Sequence, residues 1–137
     1  MPASPPIIVR TYEAWNRRDR ELLRSCLHDD VRFHIPASVP FARELHGPDA
    51  VCEYAEEIWA FWGDTIVQLD RVSVNGARIV VHGRHANAER AGVPFVHAAE
   101  LRDGLVVELR EQLDAGLVMR AVMRRLQRGD RAALVSR

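Results

Sequence analysis

Apolar positions recur at helical spacing in the first half of the chain. Three of them predict a first helix near the start: Ile8, Tyr12 and Trp15. Asp19 predicts the N-cap of a second, short helix that extends to Cys26. Residues 47–49, Gly-Pro-Asp, predict the start of a third helix, because proline is tolerated in the first helical turn, and Gly63 predicts its end.

In the second half of the chain the apolar period changes to two, which predicts β-strands. Four strands are expected after Thr65, separated by three glycine-bearing turns: Asn75-Gly76, Arg90-Ala91-Gly92 and Arg102-Asp103-Gly104. Upstream, residues 31–35 alternate as a shorter strand, and residues 36–46 are expected to form a loop. Asp114 predicts the cap of a final amphipathic helix, and residues 127–137 are expected to form a tail.

The order of these elements predicts a single α+β domain over residues 1–137, with its core in about residues 7–126. Three N-terminal helices would pack in the concavity of a cone-like, bent antiparallel sheet, and a further helix would follow at the C terminus. A chain of 137 residues has room for one core with a modest cavity, but hardly for two domains.

Composition narrows the choice of partner. The 19 basic and 19 acidic residues cancel, so no net field favours nucleic acid or a membrane surface. The N-terminal segment lacks a signal-peptide pattern, and no apolar run approaches the roughly 20 residues of a membrane span. These features predict a soluble, cytoplasmic protein. Cys26 and Cys52 are expected to be buried free thiols rather than a disulfide.

Strand parity predicts which polar side chains face the interior. His97 shares the more apolar face of its strand with Phe95, and Glu111 shares the apolar face of the last strand with Leu109. A buried, unpaired carboxylate is costly, so Glu111 needs either a functional role or a structural partner such as Arg84. For His97, the alternative to a functional role is a core histidine whose hydrogen bonds a neighbour satisfies.

The assumed turn lengths bring a third polar residue to this face. Three-residue loops at 90–92 and 102–104 would place His85 opposite His97, and would make Glu111 a diagonal neighbour of His97. A carboxylate in an apolar cavity beside imidazoles is suited to general acid/base chemistry. The histidines show no metal-ligand spacing on a helix, so neither a metal nor another cofactor is expected.

Three stretches of the sequence carry a resemblance to a known family. They are Tyr12-Glu13-Ala14-Trp15-Asn16-Arg17-Arg18-Asp19, Asp30-Val31-Arg32-Phe33-His34-Ile35-Pro36 followed by Gly47-Pro48-Asp49-Ala50-Val51, and Asp103-Gly104-Leu105-Val106-Val107-Glu108 with Asp114. Together they resemble the SnoaL-like polyketide cyclases and ketosteroid isomerase-like proteins of the nuclear transport factor 2-like superfamily. The resemblance covers about residues 7–126 and implies the fold given above. The superfamily includes isomerases, cyclases, dehydratases, epoxide hydrolases and proteins that are not enzymes.

The family's catalytic positions are only partly filled. This chain has Ile35 where ketosteroid isomerases carry a catalytic aspartate, and Thr11 where they carry the oxyanion tyrosine. Glu111 stands at the late-strand position at which SnoaL-type cyclases carry an acid/base aspartate. The proposed pair of His85 and His97 resembles the histidine pair of scytalone dehydratase-like members. The resemblance therefore excludes the steroid isomerase mechanism and leaves several other reactions open.

These observations predict a cofactor-independent acid/base enzyme of the cyclase, dehydratase or isomerase kind, which acts on a small apolar cyclic molecule. Glu111 and His97 would move the proton and His85 would assist. Apolar residues are expected to hold the substrate: Tyr12, Trp15, Phe33, Ile35, Trp59, Trp62, Phe95 and Leu109. The alternatives are a non-catalytic carrier of hydrophobic ligands and an association domain. A homodimer is expected through the outer sheet face, which carries Val80, Val96, Ala98 and Val106.

Overall fold

The structure, a computed structural model, describes residues 6–36, 43–63, 65–87 and 90–135. Within these ranges the chain forms, in order, α1 (Pro6–Arg17), α2 (Arg20–Ser25), β1 (Leu27–Ile35), β2 (Arg43–His46), α3 (Pro48–Trp62), β3 (Ile66–Asn75), β4 (Arg78–Asn87), β5 (Arg90–Arg102), β6 (Leu105–Leu113) and α4 (Ala115–Val135). The predicted α+β class and the predicted order of the long elements are confirmed.

The six strands form one curled sheet in the order β2-β1-β6-β5-β4-β3. Neighbouring strands are antiparallel except for β1 and β6, which run parallel, so that Phe33 pairs with Leu109. Buried residues of α1 and α3, such as Ile8 and Val51, join buried residues of the sheet, such as Val81, in one hydrophobic core. This packing encloses the space between the helices and the sheet.

The predicted helix caps are confirmed. The carboxylate of Asp19 accepts a hydrogen bond from the backbone N–H of Leu22 at 3.0 Å, and that of Asp114 accepts one from Leu117 at 3.0 Å. Each cap satisfies one of the amide groups that a helix leaves free at its start. The two cysteines are buried free thiols, as predicted. In the described ranges, no helix is long and apolar enough to cross a membrane.

Three element boundaries differ from the prediction. The segment expected to be a loop over residues 36–46 contains the short strand β2, in which only Leu45 is buried, so its sequence shows almost no apolar pattern. β1 begins at Leu27 rather than at residue 31. The expected tail is helical as far as Val135, because α4 continues past residue 126. Residues 37–42 of the expected loop, and 136–137 of the expected tail, lie outside the described part of the chain.

The turn between β5 and β6 has two residues, not the three that we predicted. Asp103 and Gly104 both adopt positive φ angles, 53° and 75°, as a type I′ hairpin turn requires. Leu101 therefore pairs with Val106, and a bulge follows before Glu100 pairs with Glu108. The predicted register was wrong, but the bulge restores the predicted parity for the rest of the strand.

The turn between β4 and β5 also differs from its prediction. β5 begins at Arg90, so the expected three-residue loop at 90–92 belongs to the strand. His85 pairs with Val93, and His97 pairs with Val81, so His85 is not opposite His97. The two histidines nevertheless lie on one face of the sheet, because the observed pairing of β4 with β5 is shifted from the predicted pairing by an even number of residues.

The outer sheet face is less apolar than predicted. Val80 and Ala98 are exposed and Val96 is half-buried, but Val106 is fully buried. Val106 lies beyond the bulge, where the alternation of faces is broken, and it pairs with Leu27 of β1. The predicted surface therefore consists of residues from β4 and β5 alone.

Candidate active site

Two strands place an acid and an imidazole side by side in the interior. His97 of β5 and Glu111 of β6 are directly paired, so both side chains rise from the same level of the sheet. Nε2 of His97 lies 2.6 Å from Oε2 of Glu111. His97 is buried, and only a tenth of the Glu111 side chain is exposed. The pairing is closer than the diagonal contact that the sequence predicted.

A tyrosine from the first helix completes a line of three groups. Oη of Tyr12 lies 2.7 Å from Nδ1 of His97, although the two residues are 85 positions apart in sequence. The two rings are nearly parallel, at 9°, with their centroids 5.9 Å apart. The sequence predicts Tyr12 as a residue that holds the substrate, and no short-range pattern indicates its bond to His97.

His85 reaches the same carboxylate from β4. Its Nε2 lies 3.4 Å from Oε2 of Glu111, so both histidines converge on one oxygen. The Phe95 ring packs between the histidines, with its centroid 4.9 Å from that of His85 and 3.9 Å from that of His97. Gly83 leaves room for this ring, because a Cβ at position 83 would lie 2.7 Å from a Phe95 ring carbon.

Burial and hydrogen bonding fix the charge of each group. Burial lowers the pKa of His97, and its bond to Glu111 offsets only part of that effect. Burial tends to raise the pKa of Glu111, but hydrogen bonds from His85 and His97 outweigh it and hold that pKa well below its usual range. Burial raises the pKa of Tyr12 far above its usual value, and the negative charge of Glu111 adds to this effect.

These pKa directions define one arrangement of protons at neutral pH. Glu111 is an ionised acceptor, Nε2–H of the neutral His97 donates to it, and Tyr12 O–H donates to Nδ1 of His97. This assignment of the tautomer is an inference from the hydrogen-bond network. The order hydroxyl, imidazole, carboxylate is the one that catalytic triads use to activate a hydroxyl group.

The three groups line a cavity of about 160 Å³ between the helices and the sheet. Seven of the eight side chains predicted to hold the substrate also line it: Tyr12, Trp15, Phe33, Ile35, Trp59, Trp62 and Leu109. Phe95 is the exception, since it lies beneath the histidines and does not contribute to the cavity surface.

The helical side of the cavity contains polar groups that the sequence analysis missed. Arg18 and Trp59 both line the cavity, and Nη2 of Arg18 and Nε1 of Trp59 are buried without a hydrogen-bond partner in the described residues. Arg124 of α4 also lines it. Arg18 lies just beyond the end of α1 and has a positive φ, so the helical spacing of Tyr12 and Trp15 gave no signal for its position.

Other predicted or considered residues have structural partners. Arg84 pairs with Asp70 at 3.0 Å and not with Glu111. His34 lies 2.9 Å from Glu44 on the neighbouring strand. Thr11, at the position of the isomerase tyrosine, bonds its own helix through Ile7 O at 2.7 Å. None of these three groups takes part in the Tyr12–His97–Glu111 line.

The same cluster has the composition of a metal site. The ligand atoms of His85, His97 and Glu111 all lie within 4.8 Å of one another. However, the 2.6 Å between His97 and Glu111 fits a hydrogen bond, whereas two ligands of a tetrahedral zinc ion lie about 3.3–3.6 Å apart. A metal would have to separate the pair, and the expected absence of a metal stays a prediction.

Comparison with known proteins agrees with this fold. A protein of unknown function from Burkholderia pseudomallei, described as nuclear transport factor 2-like, superposes with a TM-score of 0.75 at 26% identity, over 85% of this chain and 94% of its own. A SnoaL-like polyketide cyclase, so described, from Jannaschia superposes with a TM-score of 0.73 at 21% identity, over 89% and 96%.

A third structure illustrates the range of the fold. A hypothetical protein with a ketosteroid isomerase-like fold from Catenulispora acidiphila, in complex with trimethylamine, superposes with a TM-score of 0.75 at 12% identity, over 85% of this chain and 91% of its own. No curated protein matches the sequence. The model of the SnoaL-like domain matches residues 8–109, which is most of the chain, and the chain therefore belongs to the SnoaL-like domain family.

Proposed function

We propose that this domain is a cofactor-independent acid/base enzyme that moves a proton on a small, mainly apolar cyclic substrate, as a cyclase, dehydratase or isomerase does. The observation that carries the proposal is the hydrogen-bonded line from Tyr12 through His97 to Glu111 in the wall of a cavity between the helices and the sheet. A core that only needed to be stable would have little use for three polar groups at its centre.

The arrangement acts first as a base. The Tyr12 oxygen accepts a proton from the substrate while its own proton passes to Nδ1 of His97, so no free phenolate forms. Glu111 then stabilises the imidazolium ion at 2.6 Å. This coupling is needed because burial makes an isolated Tyr12 phenolate unfavourable.

The reverse transfer completes the reaction. The proton returns from His97 through Tyr12 to another atom of the substrate, or to a leaving hydroxyl group, and the starting state is restored. His85 assists through its bond to Oε2 of Glu111, which keeps the carboxylate ionised. The aromatic cavity wall excludes water and thereby strengthens these electrostatic interactions.

The first test is native mass spectrometry of the gently purified protein, which records subunit count and any bound mass.

The second test uses NMR to measure proton exchange in D₂O at the α-carbons of 2-indanone, 1-tetralone and 2-decalone. We expect the protein to accelerate exchange on at least one of these ketones. Glu111→Gln, which keeps the size of the side chain, should slow that exchange by about 100-fold or more.

The matched control lies on the same strand. Glu108 faces the other side of β6, near Arg110 and His34, so Glu108→Gln should leave the exchange rate unchanged. Equal rates for wild type and Glu111→Gln would overturn the acid/base role. A retained small molecule without any exchange or conversion would instead support a hydrophobic-ligand carrier.

We also propose that the domain forms a homodimer through the outer sheet face. Exposed Val80 and Ala98, which pair directly across β4 and β5, support this proposal, together with the partly exposed Val96 on β5. Light scattering coupled to size-exclusion chromatography should give twice the monomer mass of 15.5 kDa. Val80→Glu should shift the protein to the monomer, and a dimer that tolerates this change would place the interface elsewhere.

A further inference from the structure

Two hydrogen-bond donors in the helical wall of the cavity have no acceptor in the described part of the chain. Nη2 of Arg18 and Nε1 of Trp59 are shielded from solvent, and neither has a hydrogen-bond partner among the described residues. Both side chains line the cavity that contains Tyr12 and Glu111. A buried donor without an acceptor is unfavourable, so a protein that retains two of them in one cavity wall has a site suited to an acceptor from outside the chain.

The two donors are held in place by the fold. Asn16 anchors the end of α1 to β3, since its side chain donates to Val67 O at 2.9 Å and accepts from Val67 N at 2.8 Å. Arg18 follows this anchor with a positive φ of 54°. Trp59 packs edge-on against Trp15, with the ring centroids 5.6 Å apart. Neither donor therefore depends on a mobile chain end for its position.

The two donors line the same cavity as the proton-transfer groups. Tyr12 lies within α1, and Arg18 is the first residue beyond the end of that helix. Tyr12 bonds to His97, and His97 to Glu111, so the ionised carboxylate lies on the sheet side of the cavity. The cavity thus has a negative group on its sheet side and, on its helix side, a guanidinium whose Nη2 has no hydrogen-bond partner among the described residues.

We propose that Arg18 and Trp59 bind a carboxylate of the substrate, and thereby orient its reacting carbon toward Tyr12. Both groups only donate hydrogen bonds, and a carboxylate supplies two acceptor oxygens together with a charge opposite to that of the guanidinium. A neutral carbonyl would supply no such charge. Glu111 repels an anion, so the carboxylate can enter in one direction only. This inference rests on the proposed function in taking the cavity as the substrate site.

The test compares matched acids and amides as ligands. Isothermal titration calorimetry with benzoate, cyclohexanecarboxylate and 2-naphthoate, each beside its primary amide, measures the preference for the charged group. We expect at least one acid to bind about 10-fold or more tightly than its amide. Arg18→Gln should abolish this preference and leave the affinity for the amide within about two-fold. Arg18→Lys, which keeps the charge but not the planar donor geometry, should restore part of the preference.

The neighbouring arginine supplies the control. Arg17 is exposed at the end of the same helix, so Arg17→Gln should keep the full preference for the acid. Trp59→Phe removes one donor and keeps an aromatic ring, and should reduce the preference only a few-fold. An absence of preference for any acid in the wild-type protein, or an equal loss for acid and amide in Arg18→Gln, would overturn the carboxylate site. Binding is measured without turnover, so the preference can hold even if the α-proton exchange fails, and each proposal fails separately.

Discussion

The two walls of the cavity treat their polar groups in opposite ways. On the sheet wall, defined by His85, His97 and Glu111, the polar groups bond to one another, and Tyr12 closes the line from the helix side. On the helix wall, defined by Arg18 and Trp59, two buried donors have no partner in the described residues. The polar groups of the sheet wall satisfy one another without a ligand, and those of the helix wall do not. This difference fits the two proposed roles, proton transfer at the sheet wall and substrate recognition at the helix wall.

Acidification should affect the sheet wall most. His97 has a lowered pKa because of burial, so the stability linked to it is complete above about pH 6.5 and is lost as the pH falls toward the folded-state pKa. Glu111, whose pKa is also lowered, adds a second loss below about pH 4.5. Each titrating group contributes up to about 1.4 kcal/mol for every pH unit. Urea unfolding between pH 7 and pH 3 measures the loss.

The contribution of Glu111 to this acid sensitivity can be isolated. In Glu111→Gln the carboxyl titration is gone, so the fall in unfolding free energy below about pH 4.5 should be shallower than in the wild type. Parallel curves for the two proteins in that range would show that Glu111 is not held ionised by its neighbours.

Gly83→Ala should damage the sheet wall without removing a polar group. A Cβ at this position would lie 2.5 Å from the backbone oxygen of Gln68 and 2.7 Å from the Phe95 ring, and the backbone atom cannot move aside freely. We expect a loss of about 1–3 kcal/mol in unfolding free energy, and a displaced Phe95 that disturbs both histidines. Chemical denaturation measures the loss in unfolding free energy. Gly116→Ala should cost less, because its Cβ would meet only side-chain atoms, the nearest of them Oδ1 of Asp114 at 3.3 Å. A neutral Gly83→Ala would contradict the close packing.

The sequence was sufficient to predict the face on which these residues lie, but not their pairing. Side chains alternate strictly along a strand, so the apolar neighbours of His97 and Glu111 identify the inner face. The pairing depends on turn length and bulges. A two-residue turn at Asp103-Gly104 with a one-residue bulge gives the same parity as a three-residue loop, and places Glu111 opposite His97 instead of diagonal to it.

Contacts between distant elements were beyond the local pattern. The bond between Tyr12 and His97 joins α1 to β5 and depends on how the helix packs on the sheet. The role of Arg18 depends on an absence of partners, which only coordinates can show. By contrast, Asp19 and Asp114 were predicted correctly as caps, because a cap is decided within three residues. Features that are determined by residues close together in sequence could be predicted, and contacts between distant elements could not.

Tyr12→Phe tests the link between the helix and the sheet wall. The change keeps the ring and removes the hydroxyl, so Nδ1 of the buried His97 loses its hydrogen-bond partner. We expect a loss of about 1–2 kcal/mol in unfolding free energy, together with slower α-proton exchange by about 10-fold or more. Tyr54, which lines the same cavity from α3, provides the control. Should Tyr54→Phe slow the exchange as much as Tyr12→Phe does, the hydroxyl of Tyr12 has no special role.

The smallest expected effect concerns the helix wall and has the opposite sign. Arg18→Met removes a guanidinium whose Nη2 is buried without a partner among the described residues, and introduces a shorter, unbranched apolar side chain. The positive φ of residue 18 is as unfavourable for methionine as for arginine. Because a donor without an acceptor is lost, the ligand-free protein should gain about 0.5–1 kcal/mol in unfolding free energy. Exposed Arg17 gives the reference, since Arg17→Met should stay within about 0.5 kcal/mol of the wild type. Urea denaturation at pH 7 resolves the difference.

A protein destabilised by Arg18→Met would show that Arg18 already stabilises the fold, and the contrast between the two walls would disappear. A protein stabilised by the change, yet unable to distinguish an acid from its amide, would show that this arginine is retained for a ligand at a cost to stability.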